Sequence, residues 1–495
     1  MRRIVPQLAD PDVREVTPFV WRPVLVIAGA VAVLLMAVSA RYGWHRDELY
    51  FRAAGEHLAW GYVDQPPLVP FVARVAQSIA PDNLAVLRLL PAMTTAATVV
   101  LAGLIAREFG GRRGAQIAGA AAVASGGFVL GVGHLLSTAV FDLTAWMAML
   151  WLTARLLRTG DGRWWIWFGI VAGVSMLNKN LLVLLGAALF CGLLIERRWD
   201  LLRSRWLVVG AVITLAIAAP NLVWEARNGW PQIEMARVLS RRLAGENRPT
   251  LLPLQLVLVG LVFTLLLGRG ARWLARETSA LRFRALLWAW PAALILTFAT
   301  GGRPYYTVPL TIVVLLAGVV ATEQTRGVRR LVWLIAANAL VTVPLALPLL
   351  PLSAGTVNAN DGLAETVGWP ELTRQVAGVV NTIPARERSS VVILTASYGE
   401  AGAIDRFGPA FGLPPAFSPH NSYADFRQPT DDGATVVAVR FTVEDLDRYF
   451  DRCRQVATVD NGHHVTNEVQ RKPIVVCHGL RGDWADVWKR MRFLS

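Results

Sequence analysis

Long apolar runs alternate with short polar segments from Val24 to Leu350. A helix needs about 20 apolar residues to span the hydrocarbon core of a bilayer, so these runs predict eleven membrane spans. The pattern therefore predicts a mainly α membrane protein over residues 1–350. The predicted spans cover residues 24–40, 84–105, 115–133, 138–157, 164–178, 180–195, 206–224, 251–268, 285–300, 305–321 and 331–350.

The pattern changes after Pro351, where acidic residues, histidines and turn residues return. Short apolar runs here predict strands, and longer amphipathic runs predict helices. We therefore expect a small α/β domain over residues 351–495. Its glycines do not form a dinucleotide-binding fingerprint, so no cofactor is assigned to it. Strands are predicted at Val391–Thr395, Thr435–Val439, Val456–Val459 and Ile474–Cys477, and helices at Val443–Phe450 and Asp483–Met491.

Composition agrees with a membrane protein. Charged residues make up 17% of the chain, against roughly 25% in an ordinary soluble protein. The net charge of +14 is spread in small clusters between the apolar runs, which argues against a nucleic-acid-binding surface. Cys191, Cys453 and Cys477 lack metal-type spacing, and the last two either stay free or form a disulfide.

The arginine clusters predict the orientation in the membrane. Basic residues follow the even-numbered spans, and Arg2, Arg3, Arg14 and Arg22 precede the first span. By the positive-inside rule this side, with the N-terminus, is cytoplasmic. The first loop (residues 41–83) and residues 351–495 are then extracytoplasmic, in a multi-pass protein of the plasma membrane. An amphipathic helix over Trp230–Leu243 is expected to lie on the outer surface.

Four acidic residues are the first candidates for chemistry, because a charge close to the hydrocarbon is costly and often functional. Asp47 and Glu48 follow the first span directly, and Asp64 precedes a Pro-Pro pair that fixes an extended backbone. Adjacent helical residues diverge by about 100°, so one of the first two can face a substrate while the other meets a cation or backbone donors. Asp142 lies about one turn into the fourth span.

Two isolated cations lie in tight turns on the same predicted side. Lys179 is one of three lysines in the chain, and Arg303 precedes Pro304-Tyr305-Tyr306. Each can simply extend to lipid headgroups. Together with the carboxylates they suit a reaction in which a nucleophile is activated and a phosphate leaves.

At these residues the chain resembles glycosyltransferase family 39, the integral-membrane glycosyltransferases of the protein O-mannosyltransferase and aminoarabinose-transferase type, which have the GT-C fold. The similarity spans nearly the whole chain. The matching segments are Arg46-Asp47-Glu48-Leu49-Tyr50-Phe51, Tyr62-Val63-Asp64-Gln65-Pro66-Pro67, Gly133-His134-Leu135-Leu136-Ser137 with Asp142, Leu177-Asn178-Lys179, Pro220-Asn221-Leu222-Val223-Trp224, Arg303-Pro304-Tyr305-Tyr306 and Ser397-Tyr398-Gly399-Glu400-Ala401-Gly402.

The resemblance implies transfer of a sugar from a polyprenyl-phosphate donor to a glycan, lipid or protein of the cell envelope. Asp47 takes the place of the family's catalytic aspartate. Asp64 takes the place of an acidic residue that can bind a divalent metal ion, although no cofactor is certain. Some relatives carry lysine where this chain has Gln65, so Lys179 and Arg303 become the preferred phosphate partners.

We therefore expect a GT-C helical core with an inverting mechanism. The expected catalytic residues are Asp47, Glu48 and Asp142, and the expected donor-phosphate residues are Lys179, Arg303, Tyr305 and Gln65. A polytopic transporter or lipid flippase is the main alternative, although the charged candidates lie at helix ends and not at the bilayer midplane as expected for a transporter. An inactive relative that serves as a membrane scaffold is the other alternative.

Overall fold

The computed structural model describes residues 16–352, 355, 357–358 and 360–495. The predicted cytoplasmic arginines Arg2, Arg3 and Arg14 lie outside the described residues. The apolar part of the chain is almost entirely helical. Its helices are Trp21–Ala37, Arg46–Glu56, Leu68–Ile79, Leu84–Glu108, Arg113–Ala124, Gly127–Gly133, Thr138–Thr159, Trp164–Met176, Leu182–Ile195, Trp199–Leu202, Arg205–Arg227, Pro231–Val259, Thr264–Arg276, Arg284–Thr300, Val308–Arg326 and Arg329–Ala346.

Within the described residues, six helices are long and apolar enough to cross a membrane, and two bent pairs bring the number to eight. Shorter apolar helices at Trp21–Ala37, Trp164–Met176 and Leu182–Ile195 account for three more predicted spans. Each of the eleven predicted spans overlaps one of these helices or pairs. The predicted helical membrane core is confirmed.

Two elements differ from the prediction. The amphipathic segment Trp230–Leu243 is not a separate surface helix, because the helix Pro231–Val259 continues into the predicted span 251–268. That helix ends at Val259. The next residue, Gly260, has a φ of +128°, which glycine can adopt, and the chain then turns by 92° into the next helix. The predicted span 115–133 is likewise bent by 60° between Ala124 and Gly127.

The C-terminal part contains five strands, β1 (Val392–Thr395), β2 (Ala416–Phe417), β3 (Val436–Val439), β4 (Phe450–Thr458) and β5 (Pro473–Leu480). They form one mixed sheet with the strand order β2-β1-β3-β5-β4. All four predicted strands occur, and a short fifth strand, β2, adds to the edge. A disulfide joins Cys453 on β4 to Cys477 on β5, which are direct partners in the strand register. The helices are Asp361–Ala364, Trp369–Thr382, Ala385–Arg388, Tyr398–Phe407, Tyr423–Phe426, Val443–Leu446 and Trp484–Met491.

The first loop and the C-terminal part share one hydrophobic core. Leu49 and Phe51 from the helix Arg46–Glu56 belong to the same buried cluster as Trp369 and Ile404. Gly402 permits the close approach of the two helices, because a Cβ added there would lie 2.9 Å from the backbone of Leu49. The loop that carries Asp47 is therefore held from two sides, by the helical core and by the C-terminal part.

Candidate active site

Glu48 forms a buried ion pair that fixes the start of the helix Arg46–Glu56. Its carboxylate accepts two hydrogen bonds from Arg88, at 2.7 and 2.8 Å, and one each from the backbone N–H groups of His45 and Leu136, both at 2.9 Å. The Glu48 side chain is 0% exposed. Because both of its oxygens are engaged, we propose that Glu48 has a positioning role, where the sequence predicted a catalytic one.

Asp47 points the other way, toward an accessible surface, and 32% of its side chain is exposed. Its Oδ1 accepts a hydrogen bond from the Tyr398 hydroxyl at 2.9 Å and lies 3.5 Å from Nε of Arg46. Burial raises the pKa of Asp47, but neighbouring His45, the positive charges of Arg46 and Arg303 and the Tyr398 hydrogen bond together outweigh burial. The net pKa is below its ordinary value, so Asp47 is ionised at neutral pH.

Asp64 is held by one residue from the first loop and one from the C-terminal part. Its Oδ1 accepts a hydrogen bond from the Tyr50 hydroxyl at 2.8 Å, and its Oδ2 accepts one from Asn421 at 3.3 Å. Burial raises the pKa of Asp64 to about 6, and nearby Asp47 adds to the rise. The two aspartates therefore have different proton affinities, which is typical of paired functional carboxylates.

The surroundings of Asp64 do not fit a metal-binding site. In the described part of the chain, no group of three or more His, Cys, Asp or Glu side chains is arranged to hold a metal ion. Oδ1 and Oδ2 of Asp64 already accept hydrogen bonds from the Tyr50 hydroxyl and from the side-chain N–H of Asn421. The expected metal role of Asp64 therefore gains no support from its neighbours, and we derive no step through a metal.

Three of the four expected phosphate-binding residues, Lys179, Arg303 and Tyr305, lie close together. Lys179 Nζ lies 3.2 Å from the Tyr305 hydroxyl and 4.7 Å from the centre of the Tyr306 ring. Arg303, which is exposed, lies close enough to Asp47 for the two charges to interact. The structure thus brings Lys179 and Arg303 together at Tyr305, and Arg303 also lies near Asp47.

Asp142 and Gln65 are two further expected site residues, and both carry buried polar atoms. Each side chain is 5% exposed, and Oδ1 of Asp142 and Nε2 of Gln65 have no hydrogen-bond partner among the described residues. Asp142 interacts electrostatically with Lys179. Asn178, which donates to the carbonyl of Thr138 at 2.9 Å, also has an unpartnered oxygen. Unpaired buried polar atoms are costly, so these atoms suit a polar ligand.

An apolar cavity of about 550 Å³ lies beside these residues. Pro67 and Leu68, which follow Gln65, form one wall, and Leu177 forms another. The Leu68 N–H donates to the carbonyl of Leu177 at 2.9 Å, which ties the first loop to the turn that carries Lys179. The cavity therefore adjoins the turn that carries the expected phosphate ligand.

Sequence reasoning missed the contacts that the C-terminal part makes with the two aspartates. Tyr398 and Asn421 lie more than 350 residues away from Asp47 and Asp64. The Ser-x-x-Glu pattern of Ser397 and Glu400 is a helix-start signal that marks the position of Tyr398. No feature of the sequence near Tyr398 indicates that its partner is Asp47.

Comparisons with known proteins agree with this geometry. Residues 64–224 match the sequence model of the family described as dolichyl-phosphate-mannose-protein mannosyltransferase. The structure of ArnT from Cupriavidus metallidurans bound to undecaprenyl phosphate is 16% identical, with a TM-score of 0.61 over 91% of this chain and 97% of ArnT. Arabinofuranosyltransferase AftD from Mycobacteria is 14% identical, with a TM-score of 0.50 over 94% of this chain and 40% of AftD.

A search of curated protein sequences gives no match at a significant level. The family pattern lies on the segment that carries Asp64, Asp142 and Lys179, and the ArnT-like fold extends over nine-tenths of the chain. Together, the family pattern and the fold confirm the predicted resemblance to the GT-C membrane glycosyltransferases of the protein O-mannosyltransferase and aminoarabinose-transferase type.

Proposed function

We propose that the protein is an inverting glycosyltransferase. It moves a sugar from a polyprenyl-phosphate donor to a glycan, lipid or protein acceptor of the cell envelope. The observation that carries the proposal is that Arg303 lies near ionised Asp47 and also, with Lys179, near Tyr305. A base and a phosphate-binding group are the two parts that such a transfer needs. The undecaprenyl phosphate bound to ArnT supports the donor class.

In the proposed reaction Asp47 accepts the proton of the acceptor hydroxyl as its oxygen attacks the anomeric carbon of the sugar. The bond from that carbon to the phosphate oxygen breaks on the opposite face, and the configuration inverts. The polyprenyl phosphate leaves with the electron pair as an anion. Lys179 and Arg303 balance this charge, so no general acid is needed for the leaving group.

The unpartnered polar atoms suit the sugar of the donor. The unpartnered oxygens of Asp142 and Asn178 can each accept a hydrogen bond, whereas the unpartnered Nε2 of Gln65 can donate one. A sugar presents hydroxyl groups that can meet both kinds of partner. We propose that these three side chains bind hydroxyl groups of the sugar and that Asp142 has a binding role. Gln65 then contacts the sugar and not the phosphate.

The apolar cavity suits the hydrocarbon chain of the donor. It is lined by side chains such as Leu58, Trp60 and Phe71, and its inner wall includes Leu177, two residues before Lys179. A lipid phosphate placed with its head at Lys179 can extend its isoprenoid chain along this wall. Burial of apolar surface then contributes to donor binding.

We place the site on the extracytoplasmic side of the plasma membrane. The arginine clusters between the spans support a cytoplasmic N-terminus. The Cys453–Cys477 disulfide supports an oxidising compartment for the C-terminal domain, since stable disulfides are rare in the cytosol. Residues 351–495 are then an extracytoplasmic domain, and residues 1–350 are the membrane core.

The lipid and glycan profile of a strain that lacks the gene tests this function. We expect a polyprenyl-phosphate sugar to accumulate and one envelope glycoconjugate to lose the same sugar. The wild-type gene restores both, the Asp47→Asn gene restores neither, and Asp486→Asn serves as a control because its side chain is 73% exposed. An unchanged lipid profile in the deletion strain contradicts the proposal.

A further inference from the structure

The C-terminal domain supplies the hydrogen bond that fixes Asp47. The Tyr398 hydroxyl donates to Oδ1 of Asp47 at 2.9 Å. Within the described residues Oδ2 of Asp47 accepts no hydrogen bond; Nδ1 of His45 lies 3.8 Å away and itself accepts the Asp47 backbone N–H. One oxygen is thus held in place, and the other remains available for a proton.

The ring of Tyr398 is fixed on both faces. It stacks on Tyr50 with ring centres 4.5 Å apart and on His420 at 4.7 Å. His420 stacks in turn on Phe493 at 4.8 Å. Tyr50 donates its own hydroxyl to Asp64 at 2.8 Å. The two stacked tyrosines therefore each hold one aspartate, and the stacking fixes the aspartates relative to each other.

A network of charged residues fixes the start of the helix that carries Tyr398. Tyr398 is the first residue of its helix, and Ser397 and Glu400 form a capping box there. Glu400 forms an ion pair with Arg440 at 3.1 Å. Glu468 forms ion pairs with both Arg440 and Arg46, and its carboxylate lies 2.5 Å from Nη1 of Arg46. Arg46 adjoins Asp47, so this network returns to the group that Tyr398 holds.

We propose that Tyr398 is a positioning residue for Asp47, so that the C-terminal domain forms part of the active site. This inference rests on the proposed sugar transfer for its functional consequence. The Tyr398 hydroxyl orients the Asp47 carboxylate so that Oδ2 faces the acceptor hydroxyl. It also stabilises the ionised form of Asp47, as do Arg46 and Arg303, while Asp64 opposes that form.

Tyr398→Phe tests the inference, because it keeps the stacked ring and removes the hydroxyl. The assay follows release of polyprenyl phosphate from the polyprenyl-phosphate sugar purified from the deletion strain. A hydrogen bond to a charged group supports an expected fall in kcat of about 10- to 100-fold. We expect the KM for the donor to stay unchanged and the acidic limb of the pH–rate profile to move to higher pH.

Tyr423→Phe is the matched control. Tyr423 lies in the same domain and also donates its hydroxyl to a buried carboxylate, Asp405, but it does not contact Asp47 or Asp64. A purely structural role predicts similar losses for both variants. The Tyr398→Phe effect must also disappear in the Asp47→Asn background, because a residue that acts through Asp47 cannot act once Asp47 is replaced.

A measurement without substrate separates this inference from the proposed function. The carboxylic C=O infrared band of Asp47 is identified by its loss in Asp47→Asn, and its appearance on acidification reports protonation. Tyr398→Phe must shift this titration to higher pH, whereas Tyr423→Phe must not. An unshifted titration overturns the inference even if the enzyme transfers sugar. A shifted titration in a protein that releases no polyprenyl phosphate supports the contact and overturns the proposed function.

Discussion

Removal of Arg88 tests the structural role that we assign to Glu48. Arg88→Met leaves the Glu48 carboxylate fully buried, with only the N–H groups of His45 and Leu136 as partners. It also removes the donors to the carbonyls of Ser39 and Gly43, at 2.5 and 2.8 Å. Loss of one partner from a buried ion pair costs about 3–5 kcal/mol. We expect the free energy of unfolding to fall by about that amount.

The double variant Glu48→Leu/Arg88→Met sharpens this prediction. It removes both charges, so it avoids the unpaired buried carboxylate, although two N–H groups and two carbonyls lose their partners. We expect the double variant to be more stable than Arg88→Met, because replacement of both members of a buried pair by apolar groups is often close to neutral. The backbone groups that stay unpaired keep it below the wild type.

Denaturant unfolding in detergent, followed by tryptophan fluorescence, measures these differences. Lys489→Gln is the control, because it breaks an ion pair whose side chains are 76% and 73% exposed. Such exposed pairs contribute about 0–1 kcal/mol. If Arg88→Met loses no more stability than this control, the assignment of Glu48 as a buried structural anchor is wrong.

Three further predictions concern the donor, the disulfide and Asp64. Lys179→Gln should lower kcat/KM for the polyprenyl-phosphate donor by at least about 10-fold, whereas the exposed Lys472→Gln should not; equal kinetics for both contradict phosphate binding by Lys179. Cys453→Ser should destabilise the C-terminal domain by about 3 kcal/mol in the loop-entropy model, measured by the denaturation midpoint, and an unchanged midpoint is the opposing result. The raised pKa of Asp64, about 6 against an ordinary 3.8, makes its contribution to stability complete below about pH 4 and lost as the pH rises through 6. In Asp64→Asn the thermal midpoint should therefore fall less between about pH 4 and pH 7 than in the wild type. An equal fall in both proteins would show that Asp64 does not cause this pH dependence.

The helical core and the strands of the C-terminal domain were predictable because they depend on local patterns. A run of apolar residues indicates a membrane span without any knowledge of which helices pack against it. The two bent spans are also visible in this pattern, because their apolar runs continue through the bends. The continuous helix Pro231–Val259 was missed because two prolines, Pro249 and Pro253, lie inside it. Proline usually ends or kinks a helix, but this helix continues through both prolines.

The site was predictable only in part. The angular separation of Asp47 and Glu48 along a helix indicated different surroundings, and the structure places one at an accessible surface and the other in an ion pair. Arg88 as the partner of Glu48, 40 residues away, has no local signal. Tyr398 is likewise brought to Asp47 by the packing of the C-terminal domain. Such contacts depend on the tertiary fold and cannot be derived from spacing along the chain.

Sugar transfer by Asp47→Asn, in purified protein supplied with the accumulated polyprenyl-phosphate sugar, tests the central claim most directly. Asparagine keeps the shape of the side chain and cannot accept the proton of the acceptor hydroxyl. We expect a loss of about 10²–10⁴-fold in kcat, with donor binding and folding close to the wild type. Transfer at the wild-type rate would show that Asp47 is not the base and that the proposed mechanism is wrong.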